Sequence, residues 1–419
     1  MQSSLVLHPM LRIIIIFLCS VVIGNGANCQ PTPYVILVSF DGFRHDYVEQ
    51  VNAPNFKAIM KQGAHADGLI PCFPSKTFPN HYSIVTGLYP GHHGLVDNTF
   101  YDPNRKELYE MKNRKRTTDP YYFGGTPLWK LARQNGLKSA SFFWVGSELS
   151  QPDLRPDYYF PYDESISDSI RIAQVVQWLK LPESERPHFI TLYFSSPDNE
   201  GHNFGPSSNE TKRAILRSDS LLGILVNNIR QIPLPVNLIV VSDHGMEELR
   251  EVPETYIFLN EILNRNDATI KVANGGTQSH LYIENPTRID SIYSSLKMKA
   301  KNYSVYKREE FPKRWHYDTP RAGDLLITAN PGYYIVDRER TKWLSQIEPG
   351  SAFGAHGYDP AITKNMRGIF YAIGPNIKAG KKVKAFENIH IYPLIASILG
   401  LTTPAIDGDP KVLESILVR

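Results

Sequence analysis

Tyr34–Gly42, YVILVSFDG, is an almost unbroken apolar run that stops at an aspartate and a glycine. A run without polar alternation fits a strand covered on both faces, as in a parallel sheet. It leaves Asp41 at the strand's carboxyl end. Two further runs repeat the pattern: His188–Phe194 (HFITLYF) leads into Ser195-Ser196-Pro197-Asp198, and Asn237–Val241 (NLIVV) leads into Ser242-Asp243-His244. Helical spacing lies between them at Pro54–Gln62, which Gly63 stops, and at Thr126–Asn135, Ser169–Leu179 and Thr211–Gln231. Shorter strands are expected at Ser139–Trp144 and Gly368–Ile373, and a last helix at Ile389–Leu399. This alternation predicts an α/β fold with an open, mostly parallel sheet and helices on both faces. Such sheets bind ligands outside the carboxyl ends of their strands. Asp41, Asp198 and Asp243 each follow such an end, which makes one expected site of three scattered carboxylates.

A fourth stretch places a hydroxyl at the start of a helix, Cys72–Thr86, CFPSKTFPNHYSIVT. Thr77 lies between two prolines, with Lys76 before it and Phe78 after it. The apolar segment that follows reads as the first turns of a helix. Pro79 suits a first turn because its missing N–H costs nothing there, and Pro74 keeps the lead-in extended. The hydroxyl therefore sits at a helix N-terminus, where free N–H groups and the dipole favour an anion such as phosphate. The bland alternative is an ordinary cap, for threonine is common there. The glycine-rich GLYPGHHGLVDN is expected to be irregular and to bring Asn98 back toward Thr77. Tyr101–Tyr122, with its cluster Lys112 to Arg116, reads as a solvated surface loop.

The chain of 419 residues can bury a large core, and its formal net charge of +3 argues against a stable nucleic-acid partner. Arg12 followed by the apolar run Ile13–Ile23 and small residues reads as a signal peptide over residues 1–27, since the run is short for a spanning helix. The expected location is secreted, periplasmic or extracellular, with no membrane span after cleavage; an uncleaved anchor is the alternative. Beyond the leader only Cys29 and Cys72 remain, so the fold does not rest on disulfides. Asn209 and Asn302 open glycosylation sequons. Residues 31–416 are expected to form the main domain, with a smaller insertion at about 250–340 where the strand and helix pattern weakens.

Asp198 and His202 stand four residues apart in what reads as a glycine-containing loop, and Asp243 and His244 are adjacent. Mixed carboxylate and imidazole ligation suits zinc. With Asp41 and His356 these pairs could hold two ions, as in bimetal sites for phosphoryl transfer. His45, His65, His92, His93, His188, His280 and His316 show no spacing that pairs them with such a cluster. They read as structural or exposed.

The strings SFDG, FPSKTFPNHYSIVTGLYPGHHGLVDN, SSPDNEGH, VSDHGM and GAHGYD, spread from Ser39 to Asp359, resemble the nucleotide pyrophosphatase/phosphodiesterase family of the alkaline phosphatase superfamily. The resemblance implies an alkaline phosphatase-like fold and two Zn²⁺ ions. Asp41, Thr77, Asp243 and His244 would hold one, and Asp198, His202 and His356 the other. Thr77 would be the nucleophile of a threonyl-phosphate route, with Asn98 and the Thr77 N–H donating to the phosphoryl oxygen. Phe78 and Tyr162 match positions that sandwich a nucleobase, and Lys76 could attract phosphate. The implied substrates are small nucleotide pyrophosphates or phosphodiesters, split to nucleoside 5′-monophosphates by a catalytic-domain-only member. Related activities are the alternatives: a phosphomonoesterase, or a choline or lysophospholipid phosphodiesterase. The alternative from another class is a catalytically silent binding ectodomain. Oligomeric state stays open.

Overall fold

The computed structural model describes residues 32–339 and 342–418. The signal-peptide reading and Cys29 fall outside the described residues. The main sheet is built from β1 (Tyr34–Phe40), β2 (Ala64–Ala66), β3 (Ser139–Phe142), β4 (Tyr158–Phe160), β5 (Phe189–Phe194), β6 (Val236–Val241), β7 (Phe370–Ile373) and β8 (Lys381–Val383). Its order is β8-β2-β7-β6-β1-β5-β3-β4. β1 lies in the middle, parallel to β5 on one side and β6 on the other. β3 continues the parallel run with β5 and β4, while β7 runs antiparallel to both β6 and β2. The sheet is thus mostly parallel, as the continuous apolar runs require.

Every residue of β1 is buried, and alternate residues enter different cores, because successive side chains point to opposite faces. Val35 and Leu37 join Ile84, Val85, Trp129 and Ile395 on one face. Ile36, Val38 and Phe40 join Phe56, Ile172, Val175 and Leu222 on the other. The helices behind these residues are α1 (Pro54–Gln62), α2 (Thr77–Thr86), α3 (Leu128–Gln134), α4 (Asp168–Leu179), α5 (Asp198–Phe204), α6 (Asn209–Arg230) and α7 (Ile391–Ile398). α2, α3 and α7 cover the first face, and α1, α4 and α6 the second. α1 begins after Ala53, which offers no capping side chain. Asp219 of α6 supplies the cap from outside, accepting the Asn55 and Phe56 N–H groups at 2.9 Å each.

Glu247–Arg250 and Ala352–Ala355 pair antiparallel. Between them the chain builds a second, four-stranded antiparallel sheet in the order Ile270–Asn274, Gln278–Ile283, Leu325–Ala329, Tyr303–Lys307. It packs with helix Ile289–Lys299 around Leu281, Leu296, Leu325 and Ile327. No described helix is long and apolar enough to cross a membrane.

Two local expectations are corrected. Residues 101–122 are not a solvated loop: Thr99–Asp102 and Glu107–Glu110 form a hairpin whose Phe100 and Tyr109 are fully buried, as is Tyr122. The basic side chains stay outside, where Arg105 lies 3.7 Å over the Tyr121 ring and Arg114 pairs with Glu148. Asp198 to His202 is likewise no loop but the first turns of α5. Gly354 lets that helix lie close against the chain, since a Cβ on it would stand 2.4 Å from the Gly201 carbonyl. Residues 90–93 of the glycine-rich stretch also form a single helical turn.

Candidate active site

The carboxyl ends of β1, β5 and β6 bring Asp41, Asp198, Asp243 and His244 together. α5 adds His202 one turn beyond Asp198, and the end of strand Ala352–Ala355 adds His356. Thr77 is the first residue of α2 after the extended cap Lys76, and its Oγ1 lies 3.2 Å from His244 Nε2. Three overlapping groups could hold a metal ion: Asp198, His202 and His356; Asp41, Asp198 and His244; and Asp41, His81 and Asp243. All seven ligand residues expected from sequence therefore meet in one place.

The donor set fits divalent cations on three observations. First, Asp41 Oδ1, Asp198 Oδ1 and Asp243 Oδ2 are buried and have no hydrogen-bond partner among the described residues. Burying three such charges is costly unless something positive answers them. Second, His202, His244 and His356 each place Nδ1 2.8 Å from a backbone carbonyl, of Gly354, Gly245 and Ser75 respectively. Nδ1–H donates there, which leaves Nε2 as the lone-pair atom facing the cluster, the arrangement that orients metal-binding histidines. Third, the separations suit shared coordination. His244 Nε2 lies 3.1 Å from Asp243 Oδ2 and 3.5 Å from Asp41 Oδ1, and His202 Nε2 lies 3.5 Å from Asp198 Oδ2. Two ligand atoms about 2.0–2.1 Å from one tetrahedral cation stand about 3.3 Å apart.

The electrostatics agree. Burial, then the charges of Asp243 and Asp198, push the Asp41 carboxyl well above its ordinary range. Asp243 is pulled upward by burial, but His244 and His81 beside it hold it at about 2. Burial, helped by His244 and Lys76, keeps His356 well below its usual value and so neutral, as a ligand must be. Gly42 has φ +64, and a Cβ there would stand 2.7 Å from Asp198 Oδ1, so only glycine admits the close approach of the two carboxylate loops.

Sequence reasoning missed two supporting residues. His81 donates from Nδ1 to Thr77 O at 3.0 Å, and its Nε2 is 2.8 Å from Ser39 Oγ. Its place one turn after Thr77 on a helix was the available signal. Tyr193 donates its hydroxyl to Asp41 Oδ2 at 2.6 Å. Inside an apolar strand nothing marks it. Two histidines read as unpaired do have carboxylate partners: His92 with Asp407 at 2.7 Å and His280 with Asp97 at 2.9 Å. Those contacts span hundreds of residues, so local spacing does not reveal them.

Asn98 Oδ1 accepts the Phe78 N–H at 2.9 Å, which commits its carbonyl end and leaves its Nδ2 without a partner among the described residues. Phe78 is half-buried beside Thr77. Tyr162 is 44% exposed, and its ring lies 6.2 Å from that of Tyr193, the residue that holds Asp41. Among the described ring pairs Phe78 and Tyr162 do not contact each other, while the Tyr162 ring also lies 5.1 Å from that of Phe143. Lys76 is buried, and its Nζ donates to Gly275 O and His356 O at 2.8 Å each, so it is a structural clamp rather than a free phosphate anchor. Burial lowers it to about 8.

A family model described as type I phosphodiesterase / nucleotide pyrophosphatase matches residues 35–359, which contain this whole cluster. The chain belongs to that family. Human ectonucleotide pyrophosphatase/phosphodiesterase family member 1 is 36% identical over 399 residues, covering 92% of this chain and 42% of the relative. A venom phosphodiesterase of Crotalus durissus collilineatus is 34% identical, covering 94% and 48%. The chain thus spans less than half the length of these relatives. Human family member 5 is nearer in size: 32% identity, 91% of this chain and 78% of the relative. In three dimensions the chain is similar to the murine ectonucleotide pyrophosphatase/phosphodiesterase 5, solved as an inactive threonine-to-alanine variant in complex with AMP. The TM-score is 0.84 at 31% identity, covering 92% of this chain and all of that one. The family fold is alkaline phosphatase-like, in agreement with the open sheet described above.

Proposed function

We propose that this member of the family is a zinc-dependent phosphodiesterase that splits nucleotide pyrophosphates and phosphodiesters to nucleoside 5′-monophosphates. The observation that carries the reading is the convergence of three carboxylates, each with a buried oxygen that has no hydrogen-bond partner among the described residues, beside the Thr77 hydroxyl. Asp41, Thr77, Asp243 and His244 would hold one zinc, and Asp198, His202 and His356 the other. Bound there, the ions supply positive charge that favours an ionised hydroxyl and offsets charge on the phosphoryl oxygens.

The chain's own residues account for the rest. Thr77 Oγ1 attacks phosphorus, its P–O bond forms as the bond to the leaving oxygen breaks, and a threonyl phosphodiester of the nucleoside results. Water then cleaves the Thr77–phosphate ester in a second in-line step, so configuration at phosphorus is retained. The Thr77 N–H at the positive end of α2 and Asn98 Nδ2 donate to the non-bridging oxygen as its charge grows. Phe78 and Tyr162 offer two faces to the base. Tyr162→Ala should therefore raise KM for a nucleotide ester by roughly tenfold, from one lost stacking contact of about 1–3 kcal/mol, with little change in kcat. A KM unaltered by that change would remove Tyr162 from the base site.

The deciding test compares p-nitrophenyl thymidine 5′-monophosphate with p-nitrophenyl phosphate. A strong preference for the diester is expected; a strong preference for the monoester would defeat the assignment. The signal-peptide reading of residues 1–27, together with venom enzymes among the relatives, supports action outside the cytosol.

A further inference from the structure

The second sheet reaches the site through a buried ion pair that the reaction outlined above does not use. Gln278 and His280 lie two residues apart on one strand, and both side chains end on Asp97. Gln278 Nε2 and His280 Nε2 donate to the same oxygen, Oδ2, the latter at 2.9 Å. His280 Nδ1 is 3.0 Å from Ala322 O. Both ring nitrogens thus face an oxygen atom, so the ring is anchored on two sides. Asp97, Gln278 and His280 have no solvent exposure.

A buried ion pair contributes little net stability compared with apolar residues in its place, and position is the better-attested reason to keep one. Here the position is that of Asn98. The other Asp97 oxygen, Oδ1, accepts the Asn98 backbone N–H at 2.6 Å, and Asn98 Oδ1 takes the Phe78 N–H at 2.9 Å. The asparagine is held at its backbone by Asp97 and at its amide by the first turn of α2. The same strand approach braces the neighbouring parts, with Thr277 Oγ1 donating to His356 O at 3.1 Å. Only Asp97 links the second sheet directly to the Asn98 backbone among these contacts.

We propose that His280 is a positioning residue: through Asp97 it fixes Asn98 so that Nδ2 stands where phosphoryl charge develops. The inference rests on the function proposed above. It is tested by a double-mutant cycle on the thymidine ester. His280→Gln should lower kcat about ten- to a hundredfold, with KM and bound zinc little changed; the melting temperature should fall, because the buried Asp97 carboxylate loses a partner. Asn98→Ala alone should lower kcat about a hundredfold, and adding His280→Gln to it should then cost nothing more. Equal losses in both backgrounds would overturn the proposal, as would unchanged kcat in a folded, zinc-replete His280→Gln protein. Should that variant not fold, Gln278→Leu removes the other side-chain contact to Asp97 and is put through the same cycle with the same reading. A wild-type chain inactive on the ester would remove the function assignment itself, whereas an active one with additive losses would remove only the clamp.

Discussion

Replacing Thr77 with alanine is expected to lower kcat on a nucleotide ester by roughly 10⁴-fold or more, the scale seen when a covalent nucleophile is removed. The geometry isolates the effect to chemistry. Thr77 Oγ1 stands 3.2 Å from His244 Nε2, but on the proposed assignment Asp41, Asp243 and His244 would remain to hold a cation on that side, and Asp198, His202 and His356 would be untouched. Bound zinc should therefore stay close to the wild-type content. The fold should also tolerate the change, because the helix cap is Lys76 and no side-chain cap is lost. Thr77→Ser keeps the hydroxyl and should retain much of the activity. Mass spectrometry of acid-quenched wild type should find the nucleoside monophosphate unit esterified to residue 77. Full turnover by Thr77→Ala, or label on another residue, would take the nucleophile's role away from Thr77.

Legibility of this chain in its sequence follows the range of the interactions involved. β1, β5 and β6 are buried on both faces, so each writes itself as an apolar run, and the aspartates that follow stand out against it. Helix α2 is legible from Pro79 and the spacing behind it. His356 is different: it follows Ala352–Ala355, a strand of only four residues, and only the family-like string GAHGYD marks it. Composition misled over residues 101–122, where arginines and lysines suggest solvent. The aromatic residues between them fold inward, and Arg321, in the turn Pro320–Ala322, reaches buried Asp102 at 2.8 Å. The helical form of residues 198–204 was hidden by Gly201, a poor helix former in isolation. The helix packs close to strand Ala352–Ala355 because the facing residue, Gly354, has no side chain to strike the Gly201 carbonyl. Tyr193, His81 and the Asp97–His280 pair depend on partners from other elements, and no local pattern encodes them.

Removing the metal should cost stability as well as activity, because the apo cluster leaves carboxylate charge unanswered. Exhaustive dialysis against a chelator is expected to abolish turnover, and zinc to restore it. A ligand bound only by the folded state adds about 4 kcal/mol at a thousandfold excess over its Kd. At roughly 2 °C per kcal/mol for a large domain, each ion should raise Tm by about 8 °C. The increment should depend on pH with a definite sign. In the metal-free chain, burial and then the Asp243 and Asp198 charges raise the Asp41 carboxyl, so the fold keeps a proton that the unfolded chain has lost above about pH 4. The folded state then binds more protons than the unfolded, and metal-free stability falls as pH rises from there toward the folded pKa of Asp41. A cation displaces that proton and favours the ionised form, so the gap between loaded and metal-free melting curves should widen with pH across that window. Zinc-independent melting and turnover over about pH 5 to pH 8 would mean that the orphaned oxygens of Asp41, Asp198 and Asp243 answer to something other than a metal.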